Sequence, residues 1–149
     1  MIAQVEESTS RGVEMPYKKQ FRFEKLTVWQ SARRLAGEVY SLTKAFPKDE
    51  LFGLTGQLRR AAVSVSANIA EGSGRNSDAD FAHFLEIAYG SAMEVASLLY
   101  IATDAGLLTL ETRDSLLGQT SEVTAQLSAL NQSLAVPRSK TPFPRRASS

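Results

Sequence analysis

The chain has 149 residues, 43% of them hydrophobic, with 17 Lys or Arg against 16 Asp or Glu and no cysteine. A chain of this length buries roughly 70% of its unfolded surface as a single domain and needs no covalent staple. The missing cysteine excludes disulfides, thiolate metal sites and a cysteine nucleophile, and it permits a reducing compartment.

In chain order, the first segment is MIAQVEESTSRGVEMPYKKQ, with acids at Glu6, Glu7 and Glu14 and no apolar h-region of the secretory kind. Residues 1–20 are expected as a flexible extension. The first helix follows the apolar stripe Val28, Ala32, Leu35, Val39, Leu42, Phe46 and ends at Pro47. The second follows Leu51, Leu54, Leu58, Ala62, Val65, Ile69 and is expected to stop at Gly72 as a left-handed cap. The third runs Phe81, Leu85, Ala88, Ala92, Val95, Leu99, Ala102 behind an N-cap at Ser77 and closes at Gly106. The fourth runs Leu116, Thr120, Val123, Leu127, Leu130, Leu134 with Thr109 as N-cap. The tail PRSKTPFPRRASS, residues 137–149, has three prolines and no period, and is expected to be disordered.

No stretch reads as a strand, and connections of about three to six residues favour antiparallel neighbours. The fold class is therefore all-α: a left-handed, antiparallel up-down-up-down four-helix bundle over residues 21–136. No apolar run approaches the roughly 20 residues of a membrane span, so a soluble, cytoplasmic protein without a membrane partner is expected.

On a wheel of about 100° per residue, the second helix carries a polar ladder of Gln57, Ser64, Asn68 and Glu71 on one flank of its core stripe. Its serine hydroxyls can bond carbonyls a turn earlier, and Glu71 or a facing helix can partner Asn68. The far side, where charges are ordinary, instead holds Gly56, Val63, Ala67 and Ala70. The third helix is similarly broad, with Phe84, Ile87, Leu98 and Ile101 on one side of its stripe and Tyr89, Met93 and Tyr100 on the other. One bundle does not bury all of this, so Val63, Ala67 and Ala70 are assigned to a contact between copies of the chain.

Charge separates along the sequence. Residues 21–76 hold nine bases against five acids, whereas residues 77–136 hold Arg113 against eight acids. A basic half of one copy facing the acidic half of the next is a heterologous contact, and such contacts close into rings. Arg33, Arg34, Arg59, Arg60 and Arg75 are the candidate nucleic-acid contacts, joined by Lys44, Lys48 and the tail bases. Repetition around a ring would add avidity.

The runs FEKLTVWQSARRL, FPKDELFGLTGQLRRAAVSVSANIAEGSGR and FAHFLEIAYGSAMEV resemble the four helix bundle proteins encoded in intervening sequences of bacterial 23S ribosomal RNA genes. The resemblance covers residues 21 to about 134. Its most specific part is Leu-Thr-x-Gln-Leu-Arg-Arg-Ala-Ala-x-Ser-x-x-x-Asn-Ile-Ala-Glu-Gly, residues 54–72; a second is Ile-Ala-x-Gly-Ser-x-x-x-Val, residues 87–95, with Glu94 inside it. It implies an all-helical bundle, a pentameric ring, and kinship with the accessory variability determinant proteins of diversity-generating retroelements, which bind nucleic acid and a reverse transcriptase. The acidic second half of this chain departs from that nucleic-acid role.

Catalysis has little support. His83 is the single histidine, with Asp80 rather than Glu three residues before it, and there is no second copy to build a di-iron site. EGSGRNSD lacks the Gly-Lys-Ser/Thr ending of a phosphate loop and a preceding strand, and Asp78 and Asp80 repel phosphate. No catalytic residue, metal or cofactor is assigned. Two readings of function stand: a non-enzymatic homo-oligomeric module that binds RNA or DNA, and an adaptor whose ring binds a basic protein such as a nucleic-acid enzyme.

Overall fold

The structure, a computed structural model, describes residues 16–134. The tail bases Arg138, Lys140, Arg145 and Arg146 lie outside them. Four helices account for most of the described chain: α1 (Thr27–Thr43), α2 (Leu54–Ser73), α3 (Asp78–Asp104) and α4 (Leu110–Ser133), with 3-10 turns at Arg22–Lys25 and Lys48–Glu50. Each helix packs on its neighbour in sequence and α4 returns to α1, while the backbones of diagonal pairs stay apart, which is the expected up-down-up-down arrangement. The α2–α3 seam is the most extensive of the four.

The stripes meet in one core. Ala32, Leu35 and Val39 of α1, Leu58, Ala62, Val65 and Ile69 of α2, Leu85 to Leu99 at the expected positions of α3, and Val123 and Leu127 of α4 are all fully buried. Each such Leu, Ile or Val side chain contributes about 1.5–3 kcal/mol relative to exposure. Ser77 caps α3 by accepting the Asp80 amide at 3.1 Å, and Thr109 caps α4 by accepting the Thr112 amide at 3.1 Å.

Helix ends depart from expectation in three places. The first helix stops at Thr43, whose hydroxyl bonds back to the Val39 carbonyl at 2.7 Å, so Phe46 and Pro47 lie in the connection. That connection, residues 44–53, is long because Glu50 turns back to accept the Leu54 amide at 3.0 Å and caps α2 in place of a side chain at Gly53. Leu51 is consequently outside α2 and half-exposed.

Gly72 is the third departure, because α2 runs through it to Ser73, and the residue after the helix, Gly74, has φ −93° rather than a left-handed conformation. The left-handed glycine among the described residues is Gly106, φ 81°. There the Leu107 amide bonds the Ala102 carbonyl and the Gly106 amide the Thr103 carbonyl, both at 2.9 Å, closing α3 in a Schellman turn. Gly72 answers a different need, since a Cβ there would stand 2.6 Å from Phe84 Cβ and 2.9 Å from Phe81 Cδ1. It is the point where α2 and α3 come too close for a side chain.

Aromatic residues cover the end of the bundle where α1 begins. Phe23 meets Trp29 edge-on at 4.7 Å, and the Arg22 guanidinium lies 4.8 Å over the Phe81 ring. Residues 16–20 lead into this cover and are tied to Glu24, which accepts from Phe21 N at 2.8 Å, Tyr17 Oη at 2.9 Å and Gln20 N at 3.1 Å. Partial desolvation pushes the Glu24 carboxyl up, but those three hydrogen bonds and nearby Lys19 outweigh it and leave it below the usual carboxylate range.

Candidate nucleic-acid interface and assembly surface

The five arginines singled out in the sequence do not form one patch. Arg33 and Arg34 project from the first half of α1; Arg34 Nη2 donates to Ser31 Oγ at 3.2 Å and Arg33 lies 5.7 Å over Trp29. With Lys19, Glu24 and Gln30 they border an open hollow of about 400 Å³. Arg59 is at the other end of the bundle, its Nε donating to Thr43 Oγ1 at 2.9 Å and its guanidinium 4.6 Å over Tyr40. Arg60 is exposed and lies along α2 beside Gly56. Arg75 pairs with Glu71 at 3.0 Å and covers the Phe84 ring at 4.6 Å, about 24 Å of helix away from Arg59. Within a protomer Arg59 and Arg75 thus stand at opposite ends of α2, and the five arginines share no common contact.

The polar ladder is likewise split. Ser64 Oγ meets Ser91 Oγ of α3 at 2.8 Å, so a serine pair stitches the closest seam. Asn68 Nδ2 donates to Ser64 O at 2.8 Å and Ser64 Oγ at 3.0 Å, while Glu71 is committed to Arg75 and not to Asn68. Ser66 bonds the Val63 carbonyl at 2.9 Å, the local bond expected of a helical serine. Gln57 is exposed. These contacts are those of a packed seam rather than of a reactive centre.

The small outer side of α2 is open to solvent: Val63 is 41% exposed, Ala67 exposed and Ala70 half-buried. Beside it lies the broad outer side of α3. Between Ile87 and Thr103 only Glu94 is charged, and an 18-residue window of this helix has mean hydropathy 1.3, long and apolar enough by composition to cross a membrane. No uninterrupted apolar run shows this, because Glu94, glycine and serines break the letters without lowering the average far. Only 33% of that window is buried in the chain. Ile87 and Ile101 on one flank and Met93 and Tyr100 on the other remain 40–51% exposed.

Charge does not reconcile itself inside the protomer either. Among the described residues the ion pairs are Arg75–Glu71, Arg113–Asp114 and a 4.0 Å contact of His83 Nδ1 with Glu86, none of which joins the basic half to the acidic half. His83 is otherwise an exposed side chain, and among the described residues no three His, Cys, Asp or Glu gather as metal ligands.

The motif segments therefore lie where a bundle family would place them, on the α2–α3 seam, and the family model for 23S rRNA-intervening sequence proteins matches residues 24–129. The chain belongs to that family. A solved structure supports the same fold: a crystal structure described as a protein of unknown function from the S23 ribosomal protein family of Bacteroides thetaiotaomicron is 25% identical, with a TM-score of 0.66 over 70% of this chain and 95% of that one. No curated protein matches the chain.

A group that the sequence did not bring together is found at the α1–α2 end. Lys44, Lys48 and Arg59 border an apolar cavity with Phe46, Pro47 and Leu51, next to Phe52, which is 91% exposed. The sequence signals were the three cations, legible as charges, and the surplus of large apolar residues in FPKDELFG, of which Leu51 reads as the start of a helical stripe.

Proposed function

We propose that the protein is a non-enzymatic assembly module: copies associate through the outer surface of α2 and α3 into a closed homo-oligomer, a pentamer by its resemblance, that binds RNA or DNA. The observation that carries this reading is the open apolar surface of α3, where Ile87, Met93, Tyr100 and Ile101 stay 40–51% exposed in the protomer. Apolar surface of that extent on a folded domain marks an interaction site. Another copy suits it better than lipid, because Glu86 and Glu94 stand exposed on the same outer side of α3 and a bilayer would penalise them. Ala67 and Ala70 leave room for a close neighbour, and the unneutralised halves give successive copies complementary faces. A cysteine-free chain suits the cytoplasm.

Light scattering should give a multiple of 16.2 kDa for the protein and the protomer mass for Ala67→Arg, with unchanged helical circular dichroism because Ala67 touches solvent. An unaltered mass for the variant removes Ala67 from the contact. For nucleic-acid binding, a gel shift with single-stranded RNA or DNA should weaken steeply with salt, its logarithmic slope about −0.7 per phosphate neutralised. Replacing Arg33 and Arg34 together should flatten that slope.

The adaptor reading is favoured by a separate observation. Asp78, Asp80, Glu94, Asp104, Glu111 and Glu122 have no cation within ion-pair distance among the described residues, so an oligomer would display a repeated acidic surface. Retention of mass without any gel shift at low salt selects the adaptor over the nucleic-acid module.

A further inference from the structure

The last turn of α1, the connection after it and the first turns of α2 border an open cleft of about 410 Å³, within the range of small-molecule clefts. Its wall is mainly apolar, built from Phe46, Pro47 and Leu51, and Lys44, Lys48 and Arg59 bring three cations to it. Among the described residues none of the three has a carboxylate within ion-pair distance. Glu50, a near acid in sequence, is held away as the cap of α2: its Oε1 accepts the Leu54 amide, and it lies where a Cβ on Gly53 would come within 2.8 Å of it. Arg59 is pinned through Nε to Thr43 and by its stacking on Tyr40, so its position is fixed before anything binds.

Thr55 supplies the independent sign of a ligand. It lines the cavity, is 3% exposed, and its Oγ1 has no hydrogen-bond partner. Buried hydroxyls are almost always satisfied, so an orphan beside a cavity calls for a donor or acceptor from outside the chain. Thr55 and Arg59 are one turn apart on the same side of α2, a spacing at which one carboxylate can meet both.

We propose that this cavity binds an amphipathic organic carboxylate, its apolar body on Phe46, Pro47 and Leu51 and its carboxylate between the Arg59 guanidinium and the Thr55 hydroxyl, with Lys44 and Lys48 adding charge. A nucleic-acid backbone would satisfy the cations but leave the apolar wall uncovered. The inference is independent of self-association.

Isothermal titration of the full chain with decanoate, decanol and decyltrimethylammonium tests it. Decanoate should bind once per protomer, decanol at least tenfold more weakly, and the cation not at all. Lys48→Glu, at an exposed position, should weaken decanoate at least tenfold. Thr55→Val should weaken it severalfold yet leave the melting temperature of the unliganded protein unchanged or higher, because it removes an unpaired hydroxyl without changing shape. A merely structural threonine would instead lower the melting temperature and spare the affinity. Decanol binding as tightly as decanoate, decanoate binding unaffected by both variants, or no decanoate binding at all overturns the assignment.

Discussion

Phe81→Ala is expected to destabilise the protein by about 3–5 kcal/mol, the largest single-residue loss in the bundle. Phe81 is 1% exposed and stands in the first turn of α3, where three parts of the fold converge on its ring. Gly72 lies against one edge and Arg22 covers one face at 4.8 Å. Truncation leaves a cavity that the surroundings cannot close, because Gly72 has no side chain to move into it. It also releases Arg22, so the Arg22–Lys25 turn should lose amide protection along with the core. Urea unfolding at matched protein concentration should show a lower midpoint with an unchanged slope. A midpoint close to that of the parent would mean that the ring is not at the junction.

Gly72→Ala is expected to be the next most informative change, because two effects of opposite sign compete. Alanine gains about 1 kcal/mol of helix propensity over glycine inside a helix. Against it, the new methyl would stand 2.6 Å from Phe84 Cβ, an atom fixed to the α3 backbone that no rotamer change can move. Overpacking of this kind costs about 1–3 kcal/mol or more. Parting α2 from α3 would also stretch the 2.8 Å Ser64–Ser91 contact on the same seam, worth about 1 kcal/mol. The net expectation is a loss of about 1–2 kcal/mol by thermal or urea unfolding. Gly118→Ala in α4 is the control: nothing lies within 4 Å of a Cβ there, so propensity alone should act and stability should rise. A rise in both variants would show that the seam can open without penalty.

The contrast between these glycines shows what a sequence yields and what it withholds. The four stripes were legible because burial on one side of a helix imposes a period on the letters, and Val28 to Leu134 obey it almost position for position. Ser77, Thr109 and Gly106 were legible because caps and left-handed turns select residue types locally. Gly72 was assigned the wrong task because a glycine near a helix end looks the same whether it turns the chain or admits a neighbouring helix. Only the position of Phe84 on another helix distinguishes the two.

The same holds for the site. Five arginines were legible as charges and the distance of Arg75 from Arg59 as a run of helix, but the partners that hold them, Thr43 and Tyr40 for Arg59 and Phe84 for Arg75, lie on other helices and leave no mark on the spacing. The carboxylate cavity depends on Thr55 lacking a partner and on Glu50 being drawn away, and neither fact leaves a mark on residue spacing. The membrane-like average of α3 escaped because single polar letters interrupt it, although the bundle hides only its inner face.

The ring of neighbour contacts has one member that differs from the rest. Three of the four seams join helices adjacent in sequence, whereas α1 meets α4 only across most of the chain, with Gln119 Nε2 reaching Glu38 at 3.0 Å as the tie between them. Loop-closure entropy makes that pairing the slowest to form. During synthesis the nascent polypeptide must therefore carry its first three rods with one side bare until the fourth has emerged to close the square.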